Sequence, residues 1–300
     1  MSTAVRVFHV SRRYRGVTAV DDASFELEAG RVHGLLGRNG AGKTTMMRLL
    51  TGLERPSSGS VEVFGADPFE NEQVLRRTCF VKESQTYPDL SVGRVLAAAR
   101  LLQPGWDEHL AQSLVDDFDL PRGRRVRKLS RGMRSALGIV IGLASRAPLT
   151  LFDEPYLGLD APSRALFYDR LLADFADHPR TVVLSTHLID EVANLLERVV
   201  VVDRGRVVLD AEAEEVRGTA YTVVGPAGPV AEFVGRREVI ARQAVGAYAS
   251  ATVRGRVEDP ERRLADELSL DLSPMSLQDL VAHATTYRSD DTRPTEGADR

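Results

Sequence analysis

The sequence lacks most features of secreted, membrane-spanning or nucleic-acid-binding proteins. Cys79 is its only cysteine, so the chain can form neither an internal disulfide nor a multi-cysteine metal site. Its longest nearly unbroken apolar stretch, residues 136–144, is far shorter than the roughly 20 residues that cross a bilayer. A net charge of −4 argues against a nucleic-acid partner, because such proteins usually carry a strong basic excess. The first residues do not resemble a signal peptide, so we expect the chain to stay in the cytoplasm unless a partner holds it at a membrane.

The composition is that of a globular protein, and the length suits one large domain plus a small one, or a single elaborate α/β domain. The chain has 300 residues, of which 43% are hydrophobic and 27% are charged. Residues 4–10 and 22–29 alternate between apolar and polar positions, which is typical of half-buried strands. The segment RRYRGVTAV between them is predicted to be a short basic loop.

Further along, apolar strands alternate with helical patterns, which indicates a mostly parallel sheet. We predict a hairpin at residues 199–210 with Arg204 and Gly205 at its turn. The other predicted strands are 32–36, 61–65, 149–154 and 181–187, and the predicted helices are 44–53, 162–176, 188–196 and several within 90–147.

The composition changes after Gly218, and we predict a domain boundary there. Residues 219–254 are rich in valine, alanine and glycine, with predicted turns at GPAGP and VGRRE. Residues 260–268 and 276–286 have helical patterns. We therefore expect residues 1–218 to form the main domain, 219–286 a small α+β accessory domain, and the polar residues 287–300 a disordered tail.

A glycine-rich segment between the strand at 32–36 and the next helix matches the P-loop pattern G-x-x-x-x-G-K-[ST]. Glycine is needed there because a side chain would keep the backbone N–H groups from wrapping a phosphate chain. Lys43 would neutralise the β- and γ-phosphates, and the Thr44 hydroxyl would ligate Mg²⁺. The pattern predicts a site for ATP and Mg²⁺, made by Gly37, Arg38, Asn39, Gly40, Ala41, Gly42, Lys43, Thr44 and Thr45.

Two carboxylates end the apolar strand PLTLFDE. We predict that Asp153 holds Mg²⁺, through water, while Glu154 orients and deprotonates the attacking water. This pattern is weak alone, because many strands end in acids that merely cap the next helix. The P-loop upstream makes the catalytic interpretation the better one.

Three further segments complete an ordered set: LSRGM at 129–133, GLD at 158–160 and STH at 185–187. Together with the P-loop and LFDEP, this set resembles that of ABC transporter ATPases over roughly residues 4–217. The resemblance implies an α/β fold of the ABC-type P-loop NTPases. Such a fold has a mostly parallel core sheet, an antiparallel β subdomain and a helical signature subdomain, here followed by the accessory domain.

The resemblance also implies roles that no local pattern gives. Ser130 and Gly132 would close over the γ-phosphate held by a second subunit, so that the active site is complete only in a dimer. His187 would contact the γ-phosphate, and Asp160 would link the two sites across the dimer. Tyr14 would stack on adenine, which contributes ~1–3 kcal/mol.

The sequence departs from the family pattern in two places. Arg131 and Met133 replace the usual glycine and glutamine of the signature, a variation also found in exporter-type ATPases. The second departure is at the glutamine loop, FVKESQTYPDLSV, where Glu83 takes the position of the Mg²⁺-binding glutamine. Gln85 stands two residues later and is the alternative.

These features predict a subunit that hydrolyses ATP to power a transporter, with a bias towards export. Its expected partners are a membrane-spanning permease and a second ATPase subunit, either another copy or a paralogue. Its expected location is the cytoplasmic face of the membrane. The alternatives are an importer ATPase, an ABC-type ATPase with a non-transport partner, and a subunit that senses ATP without hydrolysis. Intact Lys43, Asp153, Glu154 and His187 argue against the last.

Overall fold

A computed structural model describes residues 2–82, 85–217 and 219–286. The chain divides into two compact units. Among these described residues, the larger unit comprises those up to 187 together with 194–210, and the smaller comprises those in 188–193 and 211–286. None of the helices within the described ranges combines the length and the apolar character needed to traverse a bilayer.

The larger unit interleaves strands and helices. In chain order its elements are β1 (Thr3–Tyr14), β2 (Val17–Glu28), β3 (Val32–Leu36), α1 (Lys43–Leu50), β4 (Ser58–Val63), α2 (Glu72–Leu75), β5 (Thr78–Val81), α3 (Val92–Leu102), α4 (Glu108–Asp117), α5 (Arg131–Ala144), β6 (Leu149–Asp153), α6 (Ala161–Asp177), β7 (Thr181–Thr186), β8 (Arg198–Asp203) and β9 (Arg206–Glu212).

The central sheet of this unit has the order β5-β6-β7-β3-β8-β9, and its first five strands are parallel. Strands β3, β6 and β7 are buried at every position, as expected for strands covered on both faces. Their carboxyl ends meet at one edge of the sheet, which is where ligands bind in such folds. The predicted parallel core is confirmed. The predicted hairpin turn is present, with positive φ at both Arg204 and Gly205.

A second sheet, antiparallel and of order β2-β1-β4, packs on the same core. Side chains from both sheets and from α1 form one buried cluster that includes Leu27, Met46, Leu49 and Leu151. The basic loop predicted between the first two strands is wrong, because β1 and β2 extend until only residues 15 and 16 form the turn. Irregularities in the β1–β2 register disturb the strict alternation of apolar and polar residues, which hid the ends of these strands.

The smaller unit has an antiparallel sheet of order β11-β12-β10-β13 and a core of its own. Its elements are α7 (Ile189–Val192), α8 (Ala213–Arg217), β10 (Ala220–Pro226), α9 (Ala227–Val234), β11 (Val239–Val245), β12 (Tyr248–Arg254), α10 (Asp259–Glu267), β13 (Asp271–Pro274) and α11 (Leu277–Thr286).

The turn predicted at GPAGP is wrong, because α9 begins there. Pro226 precedes the helix and Pro229 lies in its first turn, where proline is tolerated because that N–H has no intrahelical partner. The predicted tail at 287–300 lies outside the described residues. The division of function between the two domains stays a prediction.

Candidate functional site

The predicted phosphate-binding loop connects β3 to α1. Gly42, the last residue before the helix, has a φ of +112°, and a Cβ added there would lie 2.4 Å from the carbonyl oxygen of Ala19. Both the backbone conformation and the space therefore require glycine at this position. Asn39 and Gly40 are exposed, so the tip of the loop is open to solvent.

Another residue of the motif, Ala41, ties the loop to the body of the unit. Ala41 is buried, and its carbonyl oxygen accepts a hydrogen bond from the Gly205 N–H at 2.8 Å. Thr45 is partly buried on α1, whereas Thr44 is exposed.

Lys43 is the first residue of α1 and is only 6% exposed. Its ammonium group donates to the carbonyl oxygens of Gly37, at 2.8 Å, and Arg38, at 3.3 Å. The same nitrogen lies 3.6 Å from Oε1 of Glu154. The P-loop cation and the predicted catalytic carboxylate thus meet in a buried pair.

Asp153 ends β6 and is 1% exposed. Burial raises the pKa of Asp153, an effect that the neighbouring Thr44 and Ser185 hydroxyls only partly offset. Neither carboxyl oxygen has a hydrogen-bond partner of good geometry. A buried carboxylate without partners is costly unless a cation compensates it, so this residue fits a Mg²⁺ ligand.

Glu154 follows directly in a left-handed conformation, with a φ of +49°. The backbone supports this conformation, because the Glu154 N–H donates to the carbonyl oxygen of Ser185 at 3.1 Å. Oε2 of its side chain lies 2.7 Å from Nδ1 of His187, while Oε1 has no hydrogen-bond partner. Left-handed non-glycine residues are uncommon and concentrate at functional sites.

Tyr156 is a site residue that the sequence reasoning missed. Its hydroxyl donates to Oε2 of Glu154. It accepts from the Thr186 hydroxyl at 2.9 Å and from the backbone N–H of His187 at 3.1 Å. Burial, followed by the hydrogen bond to Glu154, raises the pKa of Tyr156, so the hydroxyl stays protonated. The available signal was its position, a tyrosine between the paired acids and GLD.

The signature segment begins α5. The Ser130 hydroxyl caps this helix by accepting from the Met133 N–H at 3.1 Å. A Cβ on Gly132 would lie 2.5 Å from the carbonyl oxygen of Gly158, so glycine is required here within the chain itself. Asp160 caps α6 by accepting from the Ser163 N–H at 3.0 Å, and hydrogen bonding to the Ser163 hydroxyl, followed by this N–H bond, lowers the pKa of Asp160.

Tyr14, the predicted adenine-stacking residue, ends β1 rather than lying in a loop. It is 38% exposed, the Arg12 guanidinium lies 4.8 Å from its ring centroid, and its hydroxyl donates to Glu54. The ring is therefore oriented by its neighbours but accessible to a ligand.

Of the two candidates for the glutamine-loop position, Glu83 lies outside the described residues. Gln85 lines a cavity of about 350 Å³, together with Arg131 and Ser135 of α5. Its side-chain oxygen is buried without a hydrogen-bond partner. The choice between the two residues stays open.

Comparison with known proteins gives a consistent result. Residues 20–157 match the family model described as ABC transporter. The daunorubicin/doxorubicin resistance ATP-binding protein DrrA of Streptomyces peucetius is 33% identical over 223 residues, which cover 72% of this chain and 67% of that protein. The bacitracin transport ATP-binding protein BcrA of Bacillus licheniformis is 31% identical, over 69% of each chain.

A solved structure, that of an ATP-binding subunit of an ABC transporter, superimposes with a TM-score of 0.65 at 25% identity and covers 72% of this chain and 92% of that one. The residues that match the family model include the P-loop, the signature helix α5 and the strand-end acids Asp153 and Glu154. The chain therefore belongs to the ABC transporter family, as an ATP-binding subunit of the kind that hydrolyses ATP for transport.

Proposed function

We propose that this chain hydrolyses Mg²⁺-ATP within a dimer of ATPase subunits and thereby powers export through a membrane-spanning permease. The observation that carries the proposal is the clustering of Lys43, Glu154 and His187 beside Asp153. Asp153 ends β6, and Glu154 follows it directly. His187 follows β7, and Lys43 lies after the loop that follows β3. These three strands are neighbours in the sheet.

Each group has a task that its surroundings permit. Lys43 would exchange its two carbonyl partners for phosphate oxygens. Thr44 and Asp153 would hold Mg²⁺, which supplies charge neutralisation at the phosphates. Mg²⁺ is usually held by one or two protein side chains together with substrate phosphates, which suits this pair of oxygen ligands beside the phosphate-binding loop.

Glu154 would accept a proton from the attacking water, and His187 would contact the γ-phosphate. Ser130 and Gly132 stand at the amino end of α5, whose dipole favours an anion. We propose that this anion is the γ-phosphate of the second subunit. Asp160 would link the two sites, and Tyr14 would stack on adenine.

The direction of transport is inferred from relatives whose names refer to drug resistance and to bacitracin transport. The permease would hold the chain at the cytoplasmic face of the membrane. The accessory domain would regulate the dimer or support the contact with the permease, since every nucleotide motif precedes it.

Inside-out vesicles from cells that make the chain with its permease test export. Daunorubicin serves as the fluorescent probe, and vesicles with the Glu154→Gln protein are the matched control. We expect ATP-driven accumulation of the probe in the parent vesicles only. ATP-driven loss of preloaded probe would indicate import and contradict the proposed direction.

A further inference from the structure

We propose that Tyr156 is a positioning residue that fixes the carboxylate of Glu154 so that Oε1, rather than Oε2, accepts the proton of the attacking water. This inference rests on the proposed hydrolytic function of the same site. It adds a residue outside the nucleotide-binding motifs predicted from the sequence.

The Tyr156 hydroxyl uses its full hydrogen-bonding capacity. A phenol has one proton to donate and two lone pairs to accept with. Here the proton goes to Oε2 of Glu154, the lone pairs accept from the Thr186 hydroxyl and the backbone N–H of His187, and Nδ1 of the His187 ring also lies 3.1 Å from the hydroxyl oxygen. Since Tyr156 is only 3% exposed, water does not compete for these bonds, and the hydroxyl has one fixed position.

This position makes the two oxygens of Glu154 unequal. Oε2 is occupied by Tyr156 and by Nδ1 of His187, which lies 2.7 Å away. Oε1 is buried, has no hydrogen-bond partner and lies 3.6 Å from the ammonium nitrogen of Lys43. Oε1 is therefore the oxygen that faces the phosphate-binding loop.

The hydrogen bonds of Tyr156 also join two strands. Glu154 directly follows β6, whereas Thr186 and His187 lie at the end of β7. The rings of Tyr156 and His187 meet edge to face, with centroids 5.7 Å apart. Movement of either Glu154 or His187 would break bonds to the same hydroxyl, so we expect the two groups to keep a constant relative position.

In the hydrolysis step, the water oxygen forms a bond to the γ-phosphorus while the bond to the bridging oxygen of the leaving ADP breaks. The proton released by the water goes to Oε1 of Glu154. A carboxylate that is held through one oxygen keeps its other oxygen oriented to accept the proton. A freely rotating carboxylate would lose the orientation that a general base needs.

The test is steady-state ATP hydrolysis by the purified full-length Tyr156→Phe protein, which lacks only the hydroxyl. We expect kcat to fall about tenfold, equivalent to about 1.4 kcal/mol, with KM for ATP within about twofold of the parent. Tyr221→Phe is the matched control, because Tyr221 is an equally buried tyrosine of the smaller unit, and it should keep the parent kcat.

Coupling to Glu154 is tested by a double-mutant cycle. If Tyr156 acts through Glu154, then Tyr156→Phe should cause no further loss of kcat in the Glu154→Gln protein. An equal tenfold loss in both backgrounds, or a parent-like kcat for Tyr156→Phe, would overturn the proposal.

Two results keep this inference separate from the proposed function. A parent protein without ATPase activity would contradict the function itself, whereas an active parent with a parent-like Tyr156→Phe protein contradicts the positioning role alone. If Tyr156→Phe does not fold, the nearly isosteric Thr186→Val removes one donor to the hydroxyl. We expect about a threefold loss of kcat for that variant, and an unchanged kcat would count against the proposal.

Discussion

Replacing Glu154 by glutamine is the most direct perturbation of this site. The amide has the same shape as the carboxylate and keeps one oxygen, so it can still accept a bond from either Tyr156 or His187. The Lys43 ammonium group retains its two carbonyl partners. We therefore expect the Glu154→Gln protein to fold and to bind ATP at least as tightly as the parent, since a negative charge beside the phosphates has gone.

The expected loss is confined to turnover. A positioned general base contributes typically 10²–10⁴-fold, which is about 2.7–5.5 kcal/mol of the activation barrier. Oε1 of Glu154 has no hydrogen-bond partner and so is available to take a proton, which an amide cannot do. Mg²⁺-dependent phosphate release should accordingly fall by that factor.

Three measurements on the purified protein check this reasoning: phosphate release, nucleotide titration and light scattering. The chain should be mainly monomeric without nucleotide. ATP should shift the Glu154→Gln protein towards a dimer, because this variant does not hydrolyse the ATP whose loss would let the dimer dissociate. Lys43→Ala should instead weaken nucleotide binding itself. Glu72→Gln, which changes a glutamate with a 76% exposed side chain on α2, is the matched control and should hydrolyse ATP at the parent rate.

Hydrolysis by the Glu154→Gln protein at the parent rate would refute the assignment of the base. If the Glu154→Gln protein shows the expected loss of turnover but light scattering shows no ATP-dependent increase in mass, only the proposed self-association is refuted. It would favour pairing with a different ATPase subunit.

Two further outcomes follow from the fold. A protein truncated near residue 218 should bind nucleotide with near-parent affinity, because the nucleotide-binding motifs lie before that point. Affinity is measured by nucleotide titration of a monodisperse sample. A tenfold loss of affinity, about 1.4 kcal/mol, would show that the smaller unit supports the site. Cys79 is buried, which raises its pKa to about 11, so at pH 8 only about 0.1% would be thiolate. We expect Ellman's reagent to label the Cys79 thiol of the native protein very slowly at pH 8 and faster as the pH rises towards 11. In concentrated guanidinium the labelling should be immediate. Rapid labelling of the native protein at pH 8 would contradict the buried placement of Cys79.

The elements that carry the motifs were predictable because their signals are local. The P-loop appears between an apolar strand and a helix, and the paired acids end a run of buried residues, as the structure shows for α1 and β6. The errors arose where local signals conflict with the tertiary structure. Irregularities in the β1–β2 register disturb the alternating pattern. Two prolines in GPAGP indicate a turn, although one precedes α9 and the other lies in its first turn, where proline fits.

The sequence by itself determined the family and the identity of the candidate residues, because a phosphate-binding loop and its acids are defined by residue types at fixed spacing. The tertiary structure alone decided which of these residues touch. Lys43 and Glu154 are far apart in the chain, and they meet because packing places β6, β7 and β3 side by side. The same strand order brings the end of β7 to the Tyr156 hydroxyl, and no spacing in the sequence encodes that contact. Strand order results from long-range burial of apolar surface, which is why the motifs were predictable one by one and their hydrogen bonds were not.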